Sequence, residues 1–392
     1  MHRGPVAEIN LDAISHNIRL IREISSGKAI IAVVKADAYG HGAVKVSKSL
    51  VNDGVDYLAV AFTEEAKELR DSGINAPIIV LFDPDIKDIL DYNLIPVISD
   101  KRTAIALSIE AEKNNKIINV HIKVDTGMGR LGLIGNVVED ILEISCLKGL
   151  KIQGIMSHFS DADLSDNSFA KKQIERFNQI RSELFENGLN IRLYHIANSA
   201  AVLSLKESHF DSVRPGLMLY GCSPMISNKL QATSYKLKNE KDPSLITEPA
   251  MNLSEGYSSL LIPAMTIKTK LLALRRLPAG TPISYGRTYI TRRNSLIGVM
   301  PIGYADGFMR RLSNVSEVIV SGKRVPVVGR ICMDISMVDL TDLEGVKDGD
   351  DVVIIGSQGK ESISACEIAQ KAETIPYEIL TSLGNRAKRV YC

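Results

Sequence analysis

From Ala29 onward, short apolar runs recur at intervals too long for hairpins: AIIAVVKADA, DYLAVAF, PIIVLFD, IPVIS, INVHIKVDT, KIQGIMSHF, IRLYHIANS and SVRPGLMLYG. They are rich in Val and Ile and continuous rather than alternating, the pattern of strands buried on both faces. Between most of them lie stretches long enough for a helix, such as TEEAKELRDSG after the second and FAKKQIERFNQIRSELFENG after the sixth. Strands alternating with helices predict a parallel sheet, and eight such units predict an α/β fold closed into a (β/α)8 barrel of the TIM type. Ahead of the first run, LDAISHNIRLIREIS sets Ile14, Ile18, Ile21 and Ile24 near helical spacing, which predicts a helix covering the barrel bottom or flank.

The pattern changes after Cys222. Ser223 to Ser259 is polar and has no sustained period, so it reads as a linker or excursion. From MTIKTKLLALRRL onward the runs are strand-like and joined by turn signals such as PAGTP, SGKR and KDGD. This predicts a mostly antiparallel β domain, closed by one helix around ISACEIAQKAE, to which the N-terminal AEIN adds a strand. A chain of 392 residues is long for one core, and the change of pattern divides it into a barrel over 1–255, with the polar linker at its end, and a β domain over 256–392.

Composition narrows the function classes. With 45% hydrophobic and 24% charged residues and a formal net charge of +1, the chain has the profile of a soluble globular protein, without the basic excess of a nucleic-acid binder. The N-terminus has no apolar h-region and no segment approaches about 18 uninterrupted apolar residues, so neither a signal peptide nor a membrane span is expected and the compartment expected is the cytoplasm. The five cysteines show no C-x-x-C spacing and the seven histidines no H-x-x-x-H pair, so no disulfide framework and no metal site are expected.

In a (β/α)8 barrel, chemistry sits at the C-terminal ends of the strands. Lys35 ends the first apolar run, His158 the sixth, Asn198 and Ser199 the seventh, and Arg214 lies at or within the eighth. Each has an ordinary alternative: a snorkelling or paired lysine, a hydrogen-bonded core histidine, a helix cap, a surface ion pair. A lysine at the end of an apolar strand is also what a nucleophilic, Schiff-base-forming amine requires, because burial favours the neutral form.

Taken in order, AVVKADAYGHG, HIKVDTGMGRLG, HIANSAA, VRPGLMLYG, SYGRTY, PIGYADG, GRICMDISMVDL and TIPYEIL resemble the alanine racemase family, enzymes with a (β/α)8 barrel, a C-terminal β domain and a pyridoxal 5'-phosphate (PLP) cofactor. The resemblance spans nearly the whole chain. It implies that Lys35 holds PLP and that Tyr39, Ser199, Tyr377 and the backbone N–H groups of Gly216 and Leu217 meet its phosphate, with Asn198 beside them. It implies that Arg214 faces the pyridine nitrogen; a guanidinium does not surrender a proton there, so the ring is a weak electron sink and racemisation is favoured over transamination.

The resemblance further implies two bases, Lys35 for the D isomer and Tyr285 for the L isomer, since racemisation exchanges a proton on both faces of Cα. His158 and Arg214 match the network that assists the phenol. Arg130 and the backbone N–H of Met333 match substrate-carboxylate contacts, Asp334 orders the Met333 loop, and Lys123 matches a lysine often carbamylated in the family. Tyr285 is placed in the active site of a partner subunit, so a homodimer with shared sites is implied, acting on L- and D-alanine to supply D-alanine for peptidoglycan.

Two features depart from the family pattern. The segment 223–259 is roughly 25 residues longer than expected, and TSLGNRAKRVY replaces a closing S-P-R-V-P-R. A racemase of serine, lysine or arginine on the same scaffold is the nearest alternative. A PLP carrier is disfavoured by SYGRTY, because a carrier has no use for a second acid-base group.

Overall fold

The computed structural model describes residues 4–82, 84–224 and 253–392, so the middle of the long polar segment, 225–252, lies outside the described residues. Strand β1, Val6–Ile9, precedes a helix over Leu11–Ile24 that is capped by Asn10, whose side chain accepts from Ala13 N at 2.9 Å. Eight parallel strands follow: β2 Ala29–Val33, β3 Tyr57–Val60, β4 Ile78–Val80, β5 Ile95–Ile98, β6 Ile118–Lys123, β7 Leu150–Met156, β8 Leu193–His195 and β9 Ser212–Val213. They fall on the eight apolar runs. Sequential neighbours pair from β2 to β8, and β9 returns to β2 in register Ala29 to Ser212 and Ile30 to Val213. The barrel is nearly closed: β8 and β9 share no ladder, and the seam is held by Asp211 N to Tyr194 O (3.1 Å) and Arg214 N to Ala197 O (2.8 Å).

The eighth run is a shorter strand than its composition suggests. Only Ser212–Val213 pairs, because Pro215 has no N–H to offer a ladder, and Leu217–Tyr220 closes into a 3-10 turn.

The second domain is mostly antiparallel. Strand β10, Met265–Lys270, lies between Asp351–Gln358 and β1, and β1 pairs in parallel with the last strand, Lys388–Tyr391. The AEIN stretch therefore belongs to the C-terminal sheet, joining the two ends of the chain. Where one closing helix is expected there are two, Ala365–Lys371 and Pro376–Arg386. The first is capped by Ser364 Oγ, which accepts from Glu367 N at 3.0 Å, and the second starts at a proline in the position where a missing N–H costs nothing.

Asn17 ties the two domains at their junction. Its side chain is wholly buried, Nδ2 donates to Leu219 O (3.1 Å) and Ile262 O (2.8 Å), and Oδ1 accepts from Ile262 N (2.9 Å). Leucine fills a similar volume but leaves these backbone groups unpaired. Asn17→Leu is expected to cost about 2–4 kcal/mol in urea unfolding; a loss below about 0.5 kcal/mol would show that water takes over these contacts.

Candidate active site

The backbone reverses hand directly after β2. Ala36, Asp37, Ala38 and Tyr39 all have φ between 51° and 54°, a left-handed turn that costs roughly 1–2 kcal/mol for each L-residue. Side chains hold it there. Glu65 Oε1 accepts from Ala36 N (2.6 Å), while its Oε2 accepts from Ala61 N (2.6 Å) and Phe62 N (3.1 Å), tying the ends of β2 and β3 to one carboxylate. Asp37 Oδ1 accepts from Ala43 N (2.6 Å). His41 Nδ1 lies 3.0 Å from Ala38 O and 3.1 Å from Tyr39 O, so it is the protonated nitrogen, and burial lowers the pKa of the ring to about 4.

Lys35 begins this turn, facing the barrel mouth. Burial and then the Arg130 charge lower its pKa, with Glu65 opposing them. Its Nζ lies 5.5 Å from the centre of the Phe82 ring, with Lys123 Nζ at 5.8 Å and Arg130 Cζ at 5.9 Å, so three cationic groups surround one aromatic ring. Lys123 ends β6, is 2% exposed, and has no carboxylate at ion-pair distance among the described residues. Burial, then Arg130 and Arg214, lower its pKa to about 8.

Arg214 is buried at the seam between β8 and β9. Nη1 donates to His195 O (2.8 Å) and Nδ1 (2.6 Å), and Nη2 to Ser157 O (2.6 Å), Ile196 O (3.1 Å) and, at 3.3 Å, His158 Nδ1. A guanidinium has no acceptor, so both imidazole Nδ1 atoms are acceptors and both rings carry hydrogen on Nε2. His195 Nε2 then donates to His121 Nδ1 at 2.8 Å. Burial first, and Arg214 second, push all three histidines toward neutrality, His121 to a pKa of about 3. Burial also disfavours the guanidinium's charge, but every bond it makes requires an N–H donor, which retains the cation.

A second group of donors lies beside the turn. Ser199 Oγ accepts from Gly216 N (2.9 Å) and Met218 N (3.3 Å). A Cβ at Gly216 would stand 2.6 Å from Tyr39 Oη, so the absence of a side chain there lets the phenol hydroxyl come close to the Gly216 backbone. The Tyr39 ring packs 5.7 Å from Tyr377, whose pKa burial raises to about 12, and burial raises that of Tyr39 as well, so both remain hydroxyl donors. Leu217 opens the adjoining 3-10 turn, where N–H groups lack helical partners. Hydroxyls and N–H groups that converge in this way fit a phosphate. Asn198 flanks them but its Oδ1 caps the helix Ser199–Ser204, accepting from Ala201 N at 3.0 Å.

Two expected residues stand apart. Tyr285 is 73% exposed and Met333 55%, and among the described residues no hydrogen bond joins either side chain to the barrel-mouth group. The Met333 loop is braced by its neighbour, Asp334, which pairs with Arg386 at 2.8 Å. Glu65, Phe82, His121, His195 and Arg389 contribute to the site region without having been singled out in the sequence. Among the described residues no group of three or more metal-ligating side chains occurs, and no helix is long and apolar enough to cross a membrane.

The chain is similar to known proteins over both domains. Residues 9–224 match the model of the alanine racemase N-terminal domain and residues 264–391 that of the C-terminal domain. An alanine racemase of Thermodesulfovibrio yellowstonii is 51% identical over 395 aligned positions, covering 100% of this chain and 98% of the relative. A crystal structure of alanine racemase from D-cycloserine-producing Streptomyces lavendulae superposes with a TM-score of 0.87 at 32% identity, over 100% of this chain and 98% of that one. One from Bartonella henselae, with covalently bound pyridoxal phosphate, gives 0.83 at 30% identity over 100% of both chains. With matches over both domains and the full length, the chain belongs to the alanine racemase family.

Proposed function

We propose that this chain is a PLP-dependent racemase that interconverts L- and D-alanine, with each active site shared between two copies. The observation that carries this reading is the pairing of a half-buried amine of lowered pKa, Lys35, with a buried guanidinium, Arg214, at one barrel mouth. When bound, the cofactor supplies an electron sink for the charge left at Cα. Lys35 Nζ would hold its carbon end, Arg214 would face its ring nitrogen, and Tyr39, Ser199, Tyr377 and the N–H groups of Gly216 and Leu217 would hold its phosphate, flanked by Asn198.

The proton chemistry follows from residue types. Lys35 Nζ takes the Cα proton of D-alanine, and Tyr285 Oη of a second copy takes that of L-alanine from the opposite face. His158, neutral, held at Nδ1 by Arg214 and with hydrogen on Nε2, is suited to donating a hydrogen bond to that phenolic oxygen, which favours the phenolate. Arg130 and the Met333 N–H would hold the substrate carboxylate. A pocket bounded by a phenol, a loop backbone and the cofactor suits a methyl side chain.

Borohydride treatment of the purified protein is expected to fix the cofactor on Lys35, and L-alanine is expected to racemise faster than L-serine, with L-lysine and L-arginine poor substrates. Peptide mapping of the cofactor to another lysine would overturn the site; a higher kcat/KM for a basic amino acid would overturn the substrate.

Lys123 is proposed to become a carbamate that positions Arg130. Its pKa of about 8 makes the free amine abundant as pH rises through that value. A carbon-13 carbamate signal from labelled bicarbonate should grow between about pH 7 and 9 and be missing in Lys123→Ala. A spectrum without it would leave Lys123 as a plain amine.

The exposed Tyr285 and Met333 motivate the shared site, which a two-fold dimer completes twice. Neither Lys35→Ala nor Tyr285→Phe should be active alone. After subunit exchange about half the dimers are mixed, each with one intact site, so about a quarter of all sites should recover. Exchange confirmed by mass without recovered activity would put both groups in one chain.

A further inference from the structure

The closing segment NRAKRVY lies far from the catalytic motifs in sequence, yet its arginine reaches the turn that begins with Lys35. Arg389 Nε donates to Gly40 O at 3.0 Å, Nη2 donates to Gly384 O at 2.8 Å, and Nη2 forms an ion pair with Asp37 Oδ2. Asp37 is in the middle of the left-handed run and Gly40 ends it, so one guanidinium grips the turn at two places. The other Asp37 oxygen is already held by Ala43 N, which leaves this carboxylate engaged on both sides.

The backbone is arranged for this grip. A Cβ on Gly40, whose φ is 82°, would lie 2.5 Å from Leu380 O and 3.2 Å from Gly384 Cα, so the helix Pro376–Arg386 docks on the turn main chain to main chain. Two residues on, a Cβ at Gly42 would lie 3.1 Å from Tyr391 Cζ. The strand that carries Arg389 and Tyr391 is in turn fixed to β1 in the C-terminal sheet. Glu65 and His41 support the turn from the barrel; from the second domain the helix Pro376–Arg386 packs on it, and Arg389 supplies the side-chain hydrogen bond and ion pair.

We infer that Arg389 is a positioning residue for Lys35: it holds the left-handed turn from the C-terminal domain and so sets the direction in which the amine meets the reacting carbon. The four left-handed residues have no intrinsic reason to stay in that conformation. Removing the clasp lets the turn relax toward right-handed or extended backbone and swings Lys35 while leaving the barrel strands paired. The inference rests on the racemase reading for its kinetic consequence but not for the clasp itself.

Hydrogen exchange read by mass spectrometry on the full chain separates the two. In Arg389→Ala the amides of residues 36–43 should exchange at least about tenfold faster, with the helix Ser168–Glu186 unchanged; Arg389→Lys, which keeps the ion pair but not the fork, should fall between. In the loaded enzyme kcat for alanine should drop roughly 10- to 100-fold, with KM within about threefold, as for a misdirected reacting group, and borohydride fixation of the cofactor on Lys35 should slow in parallel. Unchanged exchange at 36–43, acceleration spread evenly over the barrel, or an unaltered kcat would each overturn the inference. Wild-type protein without racemase activity would instead overturn the functional reading, and the exchange and fixation results would still decide the clasp.

Discussion

A single guanidinium, that of Arg214, holds the point where the barrel is weakest. Between β8 and β9 the ladder is missing, and the seam is held by isolated bonds: two between backbone groups, Tyr194 N to Asp211 Oδ2, and those that Arg214 sends to the carbonyls of Ser157, His195 and Ile196. Burying a cation costs several kcal/mol, and each charge-assisted bond returns about 1.5–3 kcal/mol. The geometry is thus stable only while all the acceptors stay in place. This also orders the chemistry, since a group that can only donate dictates the tautomers of His195 and His158, and through His195 that of His121. The residue that closes the barrel is also the one aimed at the ring nitrogen in the proposed function.

Lys35 is held by a different device. Its turn is left-handed over four residues that each have a Cβ, and it persists because Glu65, Asp37, His41 and Arg389 satisfy its amides and carbonyls from several directions. Strain confined to one turn keeps the amine at the mouth, while burial and the nearby Arg130 favour its free-base form. The barrel and the C-terminal domain are therefore coupled at the turn that begins with Lys35 as well as at Asn17. Tyr285, the second base in the proposed function, projects from the second domain into solvent, where it is free to complete another copy's site.

Much of this was legible in the sequence. Buried parallel strands need unbroken Val and Ile runs, and all eight appear; the residues clustered at the mouth stand in short motifs with glycines where the backbone turns. What was not legible depends on distance or on hand. Ala-Asp-Ala-Tyr has nothing that marks a left-handed run, since the glycines that permit it come only afterwards, at Gly40 and Gly42. Arg389 and Gly40 are separated by 349 residues, and no local pattern connects them. His121 and His195 lie inside strands, where a histidine reads as core until its partner is seen. The eighth strand stops short and a second closing helix begins because Pro215 ends one pattern and Pro376 starts another.

The central claim is that Arg214 stays a cation and gives no proton to the cofactor ring. Nitrogen-15 NMR of the holoenzyme loaded with ring-labelled cofactor tests it most directly. The account requires the shift of an unprotonated pyridine nitrogen that accepts a hydrogen bond, constant across the pH range in which the enzyme is active. A protonated shift at neutral pH would contradict it, because the ring would then be a strong electron sink and Arg214 would no longer explain a preference for racemisation.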